Sequence, residues 1–234
     1  MISEAIILAG GLGTRLRSVV ADQPKCMAPV KGKPFLFYLV SYLQKEGIDK
    51  FIFSVGYMHE AIEEYLQKSN SSLDYKISLE QEPLGTGGGI KLAVEKAAQE
   101  NVLVCNGDTL FKIDVQQLDN FHQAKNADCS LCLKPMKNFD RYGCVELNEN
   151  SSVQSFKEKK FYEIGLINGG MYALNVARFK NENLPEKFSF EKDYLEINAQ
   201  SSAKAQAKLF GFIQEQYFID IGIPDDYERA QREF

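Results

Sequence analysis

Short apolar runs alternate with helical segments through the first half of the 234-residue chain. This alternation is typical of right-handed βαβ units, in which parallel strands are joined by crossing helices. We therefore expect a mostly parallel sheet in this half. Strands are predicted at 5–9, 51–55, 75–79 and 102–106, and helices at 35–45, 59–67, 88–98 and 115–124.

The second half has a different pattern, with apolar runs separated by short turns. Strands are predicted at 129–133, 143–147, 153–156, 169–174 and 207–212, and helices at 177–180, 191–199 and 225–232. We interpret these strands as an extension of the same sheet, since 234 residues suit one large α/β domain. The predicted fold is a single α/β domain with a Rossmann-like mixed, mostly parallel sheet flanked by helices.

Composition and charge narrow the possible functions. The chain is 44% hydrophobic and 25% charged with a net charge of −5, which argues against nonspecific binding to nucleic acid or anionic membranes. No stretch approaches the roughly 18 apolar residues that a membrane span needs. Glu4 stands where a signal peptide would carry positive charge. We therefore expect a cytoplasmic protein with neither nucleic acid nor membrane as a partner.

The chain has five cysteines, and an odd number argues against a disulfide framework in a domain of this size. Cys129 and Cys132 have the spacing of a metal or redox pair, but the segment that holds them has strand propensity and no turn. A strand would direct these two side chains to opposite faces. We expect buried free thiols.

The leading candidate for chemistry is a glycine-rich turn after the first predicted strand, Leu8-Ala9-Gly10-Gly11-Leu12-Gly13-Thr14-Arg15-Leu16. Glycines remove the Cβ atoms that would hold a ligand away from the backbone. The amides of such a turn lack local partners, and Arg15 and Lys25 add positive charge. We interpret the segment as a triphosphate cradle, with a plain tight turn as the alternative.

Two better-known phosphate motifs do not fit this sequence. The dinucleotide fingerprint would need a glycine where Leu16 stands, and no acidic residue ends a second strand at the distance that a ribose requires. The P-loop pattern fails as well, because Gly32-Lys33 is followed by Pro34. A nicotinamide-dependent dehydrogenase is therefore disfavoured.

Three loops are expected to converge on one crevice, because ligands of open α/β sheets gather at the carboxyl ends of parallel strands. Gly10 follows the first strand, Gln81-Glu82-Pro83 the third and Gly107-Asp108 the fourth. Asp108 closely follows a buried apolar strand, where a carboxylate has no packing role. Residues 85–89 are interpreted as a further loop of little bulk, suited to close approach by a base or ribose.

With these motifs, the chain resembles the sugar-1-phosphate nucleotidyltransferases, the pyrophosphorylases that make nucleotide sugars. The resemblance covers nearly the whole chain and includes the glycine turn, Pro24-Lys25, Glu82-Pro83-Leu84-Gly85-Thr86-Gly87-Gly88, Asn106-Gly107-Asp108, Glu158-Lys159, Asn168-Gly169-Gly170 and Asp220. Within the family, segments 140–143, 166–170 and 186–191 look most like the D-glycero-D-manno-heptose 1-phosphate guanylyltransferases. We expect no C-terminal β-helix of hexapeptide repeats.

The resemblance implies a magnesium-dependent reaction in which a sugar 1-phosphate attacks the α-phosphorus of a nucleoside triphosphate. The substrates best matched are GTP and D-glycero-α-D-manno-heptose 1-phosphate, giving a nucleotide sugar for cell-surface polysaccharide. Residues 1–110 would form the nucleotide-binding half of the domain and 111–234 the sugar-phosphate-binding half. Arg15 would hold the β- and γ-phosphates, Lys25 the α-phosphate and Lys159 the attacking phosphate.

The same resemblance implies the other site residues. Asp108 and Asp220 would bind magnesium. The nucleotide would contact Leu8, Ala9, Gly10, Gly11, Gly13, Thr14, Glu82, Gly85, Thr86, Gly87, Asn106 and Gly107. The sugar phosphate would contact Tyr142, Gly143, Glu158, Lys159, Asn168 and Gly169.

Simpler interpretations stay open for several of these residues. Either aspartate could cap a turn, and Tyr142 before glycine at a strand start is also typical of edge packing. Glu158-Lys159 could be a solvated charge run, since Lys160 stands where the family usually has proline. Transfer of uridylyl or another nucleotidyl group to glucose, mannose or N-acetylmuramate 1-phosphate is also open, as are a noncatalytic sugar-nucleotide-binding regulator and a homodimer.

Overall fold

The computed structural model describes residues 1–11, 23–69, 73–200 and 208–234. Its strands are β1 (Glu4–Leu8), β2 (Pro29–Val30), β3 (Lys33–Pro34), β4 (Lys50–Val55), β5 (Asp74–Leu79), β6 (Asn101–Asn106), β7 (Thr109–Phe111), β8 (Cys129–Phe139), β9 (Cys144–Leu147), β10 (Val153–Lys157), β11 (Tyr162–Asn175), β12 (Leu209–Ile213) and β13 (Phe218–Asp220). Its α-helices are α1 (Phe35–Lys45), α2 (His59–Ser69), α3 (Gly85–Ala93), α4 (Val115–Ala124), α5 (Val176–Lys180), α6 (Ile197–Gln200) and α7 (Pro224–Glu233). Short 3₁₀ turns span Lys25–Met27 and Val94–Lys96, and a π-helix spans Phe190–Glu196.

One large mixed sheet organises the domain. Its first half is parallel, with the order β6-β1-β4-β5. Strand β11 then pairs antiparallel with β6, and β8 and β9 pair with β11. At the far edge β12 runs parallel to β8. The predicted single domain with a mixed sheet flanked by helices is confirmed.

Apolar side chains pack on both faces of this sheet, as strands covered by helices require. Along β1, Ile7 faces one hydrophobic cluster and Ile6 faces the other. The predicted opposite placement of Cys129 and Cys132 is confirmed, because the two residues belong to different clusters. All five cysteines are buried free thiols, as expected. Every described helix is too short or too polar to cross a membrane.

The structure corrects the interpretation of residues 85–89 as a loop. These residues form the first turns of α3, which begins at Gly85, three residues before the predicted start. The reason is tertiary packing, since a Cβ on Gly87 would overlap the ring of Phe188, and one on Gly88 would overlap the carbonyl oxygen of Glu186. The glycines thus let a second segment lie against the helix, and that contact outweighs their low helix propensity.

Two three-residue strands were not predicted. Thr109–Phe111 and Phe218–Asp220 pair antiparallel, with Asp220 opposite Thr109. The amide of Ile221 also donates to the carbonyl oxygen of Asp108 at 3.0 Å. This small sheet holds the backbones of Asp108 and Asp220 together across more than a hundred positions of sequence.

Candidate active site

A cavity of about 340 Å³ opens at the carboxyl ends of β1, β5 and β6. This is where the topology of a parallel sheet places ligands. The loops after these strands converge there, as the sequence predicted. The described lining residues are Leu8, Ala9, Gly10, Gly11, Lys25, Cys26, Glu80, Pro83, Gly85, Thr86, Asn106, Gly107, Asp108 and Glu191.

The loop after β1 forms the central wall. The amide of Ala9 donates to Ser54 at 2.8 Å and the amide of Gly107 donates to Leu8 at 2.9 Å, so both neighbouring strands hold this wall in place. A Cβ on Gly10 would lie 3.0 Å from Glu80 Oε1, whereas one on Gly11 would meet no atom of the described residues within 4 Å. No side chain from the described part of the chain fills the space beside Gly11, as expected of a ligand-binding turn.

Three predicted residues of this turn, Gly13, Thr14 and Arg15, lie outside the described residues. Their contribution to a triphosphate cradle stays a prediction.

Lys25 and Asp108 meet inside the cavity. The Lys25 Nζ donates to Asp108 Oδ2 at 3.0 Å, and the side chains are only 16% and 25% exposed. A short 3₁₀ turn carries Lys25, while the loop after β6 carries Asp108. The neighbouring Cys26 also lines the cavity, but burial, with the charge of Asp108, raises its pKa to about 12. Its thiol is therefore neutral and a poor nucleophile.

Asp220 lies beside this pair. Its Oδ1 accepts a hydrogen bond from the Gly222 amide at 2.7 Å. Burial, and then the negative charge of Asp108, raise the pKa of Asp220, although the Gly222 amide and the Lys25 charge oppose this shift. A cation beside Asp220 would stabilise its charged form.

The donor set fits magnesium better than a metal that needs a complete protein cage. Among the described residues no group of three or more His, Cys, Asp or Glu side chains is close enough to hold a metal ion. Magnesium usually takes only one or two carboxylates and fills its other positions with water and substrate phosphate. Asp108 and Asp220 would supply that number.

A second wall of the cavity comes from the start of α3 and from a strap, residues 186–191, that lies against it. Gly85 and Thr86 line the cavity, but Gly87 is buried beneath Phe188. Glu82 is exposed and is not among the lining residues. Glu80, which directly follows β5, lines the cavity instead. Its Oε1 accepts a hydrogen bond from the Ser54 hydroxyl.

The sequence analysis placed the loop that holds Pro83 at the crevice, but it missed three lining residues, which are Cys26, Glu80 and Glu191. Glu80 directly follows β5. Its position at the carboxyl end of a parallel strand could have predicted that it lines the cavity, as the same position did for Asp108. Glu191 gave no such signal, since it reaches the cavity from the start of the π-helix, about a hundred positions after α3.

The predicted sugar-phosphate residues do not line this cavity. Glu158 and Lys159 are exposed in the turn after β10. Both ends of the Asn168 amide are engaged internally, since Nδ2 donates to the Tyr172 hydroxyl at 2.8 Å and Oδ1 accepts from the Gly170 amide at 3.0 Å. Gly169 is buried, and a Cβ there would overlap the Phe111 ring.

Tyr142, another predicted sugar-phosphate residue, lies within the electrostatic influence of Asp220. Its ring packs edge-on against Phe218, 6.0 Å between centroids. Burial and the charge of Asp220 raise the pKa of its hydroxyl. The next residue, Gly143, faces the Lys157 carbonyl oxygen, to which a Cβ would lie 2.7 Å away. The neighbouring Arg141 binds Asp226 of α7 at 2.8 Å, which anchors the loop.

Comparison with known proteins gives consistent similarities over the whole chain. The family described as Nucleotidyl transferase matches residues 4–234. The D-glycero-alpha-D-manno-heptose 1-phosphate guanylyltransferase of Aneurinibacillus thermoaerophilus is 54% identical, covering 98% of this chain and 97% of the relative. The enzyme of the same name from Campylobacter jejuni is 46% identical, covering 96% of each chain. The crystal structure of HddC from Yersinia pseudotuberculosis, complexed with GMP-PN, superimposes with a TM-score of 0.87 at 35% identity, covering 100% of both chains.

Proposed function

The chain belongs to the nucleotidyl transferase family, and we propose that it transfers the guanylyl group of GTP to D-glycero-α-D-manno-heptose 1-phosphate. An oxygen of the sugar phosphate attacks the α-phosphorus of GTP, the bond to the β-phosphate oxygen breaks, and pyrophosphate leaves. The observation that carries the proposal is the meeting of Lys25 and Asp108 inside the cavity, in a chain whose heptose-specific relatives match it from end to end.

Charge is the main obstacle to this reaction. Both substrates are anions, and the attacking oxygen is already negative, so no general base is required. The protein must align the two phosphates and neutralise their repulsion. Lys25 supports this role because its ammonium is largely buried and its partner is Asp108 rather than bulk water. On binding, the α-phosphate would exchange with Asp108 as the partner of Lys25.

A magnesium ion fits the two carboxylates next to Lys25. Asp108 and Asp220 would hold the ion, since they are adjacent and the raised pKa of Asp220 indicates a poorly compensated charge. When bound, magnesium would stabilise the negative charge that develops on the phosphate oxygens.

The other charged roles rest on the family resemblance. Arg15 would bind the β- and γ-phosphates, and Lys159 would bind the attacking phosphate. Lys159 is exposed in the turn that follows β10. This turn would therefore have to approach the cavity when the sugar phosphate binds.

A pyrophosphate-release assay tests the proposal. The protein is incubated with magnesium, one of the four common nucleoside triphosphates, and one of several aldose 1-phosphates, including heptose, mannose, glucose and N-acetylmuramate. We expect the highest kcat/KM for GTP with the heptose. A higher value for UTP with glucose or N-acetylmuramate 1-phosphate would identify a uridylyltransferase instead. Nucleotide-sugar binding without any turnover would identify a noncatalytic regulator.

A further inference from the structure

Helix α7 is hydrogen-bonded to two segments that lead to residues of the proposed site. The Tyr227 hydroxyl donates to the Pro29 carbonyl oxygen at 2.5 Å, close in sequence to the 3₁₀ turn that carries Lys25. A guanidinium nitrogen of Arg229 donates at 2.8 Å to the carbonyl oxygen of Phe218 in β13, the strand that ends in a predicted magnesium ligand. The helix therefore holds these two segments in fixed relative positions.

A third segment, the loop of residues 140–143 between β8 and β9, is joined to the same helix through Asp226. The Asp226 carboxylate accepts from Arg141 at 2.8 Å and from Arg229 at 3.3 Å, and its side chain is only 9% exposed. A buried carboxylate is costly without cationic partners. The loop and β13 thus depend on one buried charge of α7.

This ion pair is the main polar attachment of the loop. Arg141 has no other hydrogen-bond or ion-pair partner among the described residues, and its guanidinium also lies 5.6 Å from the centroid of the Tyr142 ring. In the same part of the chain, turns and loops contribute no backbone hydrogen bond to residues 140–143. Side-chain contacts therefore set the position of this loop.

The loop borders the carboxylates and Lys25. The Tyr142 ring packs against Phe218, two residues before Asp220, and burial and the charge of Asp220 raise the pKa of the Tyr142 hydroxyl. A Cβ on Gly222 would lie 2.7 Å from Asp220 Oδ1 and 3.5 Å from Lys25 Nζ. Tyr142 thus lies on the side of Asp220 from which a sugar phosphate can approach the nucleotide.

We propose that Asp226 is a positioning residue for the sugar 1-phosphate, because it holds Arg141 and with it the loop that carries Tyr142 beside Asp220. The inference rests on the proposed function, in which a sugar phosphate is the second substrate. Asp226 itself touches no substrate. It acts by keeping the loop in one arrangement before the sugar phosphate binds, which reduces the entropy lost on binding.

Replacing Asp226 with asparagine removes its charge and keeps the size of the side chain. We expect D226N to raise the KM for D-glycero-α-D-manno-heptose 1-phosphate by roughly tenfold, while the KM for GTP changes by less than about twofold. The matched control is D225N, which makes the same change at the neighbouring, exposed residue of α7. This control should keep both wild-type KM values.

Variants of Arg141 test whether Asp226 acts through it. Asp226 contacts a single guanidinium nitrogen, so the ammonium of R141K can make the same contact and should keep the KM for the heptose phosphate within about threefold of wild type. R141M should match D226N, and the double variant should be no worse than either. Effects that multiply in the double variant would overturn an action through Arg141. R141M also serves if D226N does not fold, because Arg141 is 44% exposed.

Proteolysis follows the loop independently of activity. An arginine-specific protease can cleave the Arg141–Tyr142 bond only after the guanidinium leaves Asp226. We expect D226N to be cleaved there about ten times faster than wild type, and D225N to be cleaved at the wild-type rate. Urea unfolding of both variants separates loosening of the loop from global destabilisation. Unchanged cleavage of folded D226N would overturn the positioning role.

Calorimetric titration with the heptose phosphate, in the presence of magnesium and a nonhydrolysable GTP analogue, separates this inference from the proposed function. Wild-type binding that is weakened in D226N, without any pyrophosphate release, would overturn the transferase and retain Asp226 as a positioning residue. A wild-type KM in D226N despite faster cleavage of its loop would retain the transferase and overturn the role of Asp226. Wild-type protein that binds no sugar phosphate would overturn both.

Discussion

The residues predicted to bind the nucleotide (the nucleotide side) and those predicted to bind the sugar phosphate (the sugar side) are placed differently in this domain. On the nucleotide side, residues from the ends of β1 and β6 meet Lys25 in one cavity. On the sugar side, Glu158 and Lys159 are exposed and Gly169 is packed beneath Phe111. The difference follows from the sheet, because parallel strands end at one common edge, whereas antiparallel strands end at alternating edges.

Removing Lys25 should have the largest effect on activity. With its ammonium gone, nothing else on the described cavity wall supplies positive charge to the α-phosphate, so K25A should lose about 10²- to 10³-fold in kcat/KM. Steady-state pyrophosphate release measures this loss. The matched control is K50A, since Lys50 is exposed at the opposite end of its strand. Equal turnover by K25A and wild type would show that Lys25 does not neutralise the α-phosphate.

Two glycine substitutions should distinguish a glycine that leaves room for a ligand from a glycine that the packing of the core requires. An alanine at Gly169 would overlap the Phe111 ring, so G169A should lose about 1–3 kcal/mol of unfolding free energy. An alanine at Gly11 would meet no described atom within 4 Å, so G11A should stay within about 0.5 kcal/mol of wild type and yet bind GTP more weakly. Urea unfolding and nucleotide titration of both variants provide the measurements. Unimpaired GTP binding by G11A would show that the open space is not used.

The second half should also contain a pH-dependent contribution to stability. Burial lowers the pKa of His122 to about 4, aided by Arg178 and opposed chiefly by Asp119. Between about pH 4 and about pH 6.5 the unfolded chain binds a proton at this histidine that the folded chain does not. The contribution of His122 to the free energy of unfolding is therefore fully present above about pH 6.5 and decreases as the pH falls. We expect a loss of about 2 kcal/mol between pH 7 and pH 5.

Urea unfolding at the two pH values tests this contribution. H122Q should show a smaller loss than wild type, whereas H59Q, which alters a half-buried histidine of α2, should keep the full loss. An equal loss in H122Q would mean that other groups cause the pH dependence.

Lys159 should give the smallest effect and the sharpest test of the sugar side. If its turn approaches the cavity with substrate, K159A should raise the KM for the sugar phosphate by about tenfold without changing GTP affinity or stability. K160A is the control, because its ammonium lies over the Tyr162 ring, 5.5 Å from the centroid. An unchanged KM in K159A would leave Glu158-Lys159 as a solvated charge run.

Periodicity predicted the long elements well. Helices α1 and α4 begin and end where the apolar spacing indicated, and the four parallel strands of the first half agree to within one residue at either end. The pattern failed for β7 and β13, because three residues are too few to show a period. It also failed at the start of α3, where glycines that suggest a loop are packed against the strap.

The sequence alone determined the family, the sheet and the convergence of the strand-end loops, because these follow from local periodicity and from glycine and charge motifs that are contiguous in the chain. Only the tertiary structure decided how the backbone holds Asp220 beside Asp108, that Glu80 rather than Glu82 lines the cavity, and that Glu191 lines it as well. Such contacts join residues as far as about a hundred positions apart, and their geometry depends on the packing of whole elements, which no local pattern encodes.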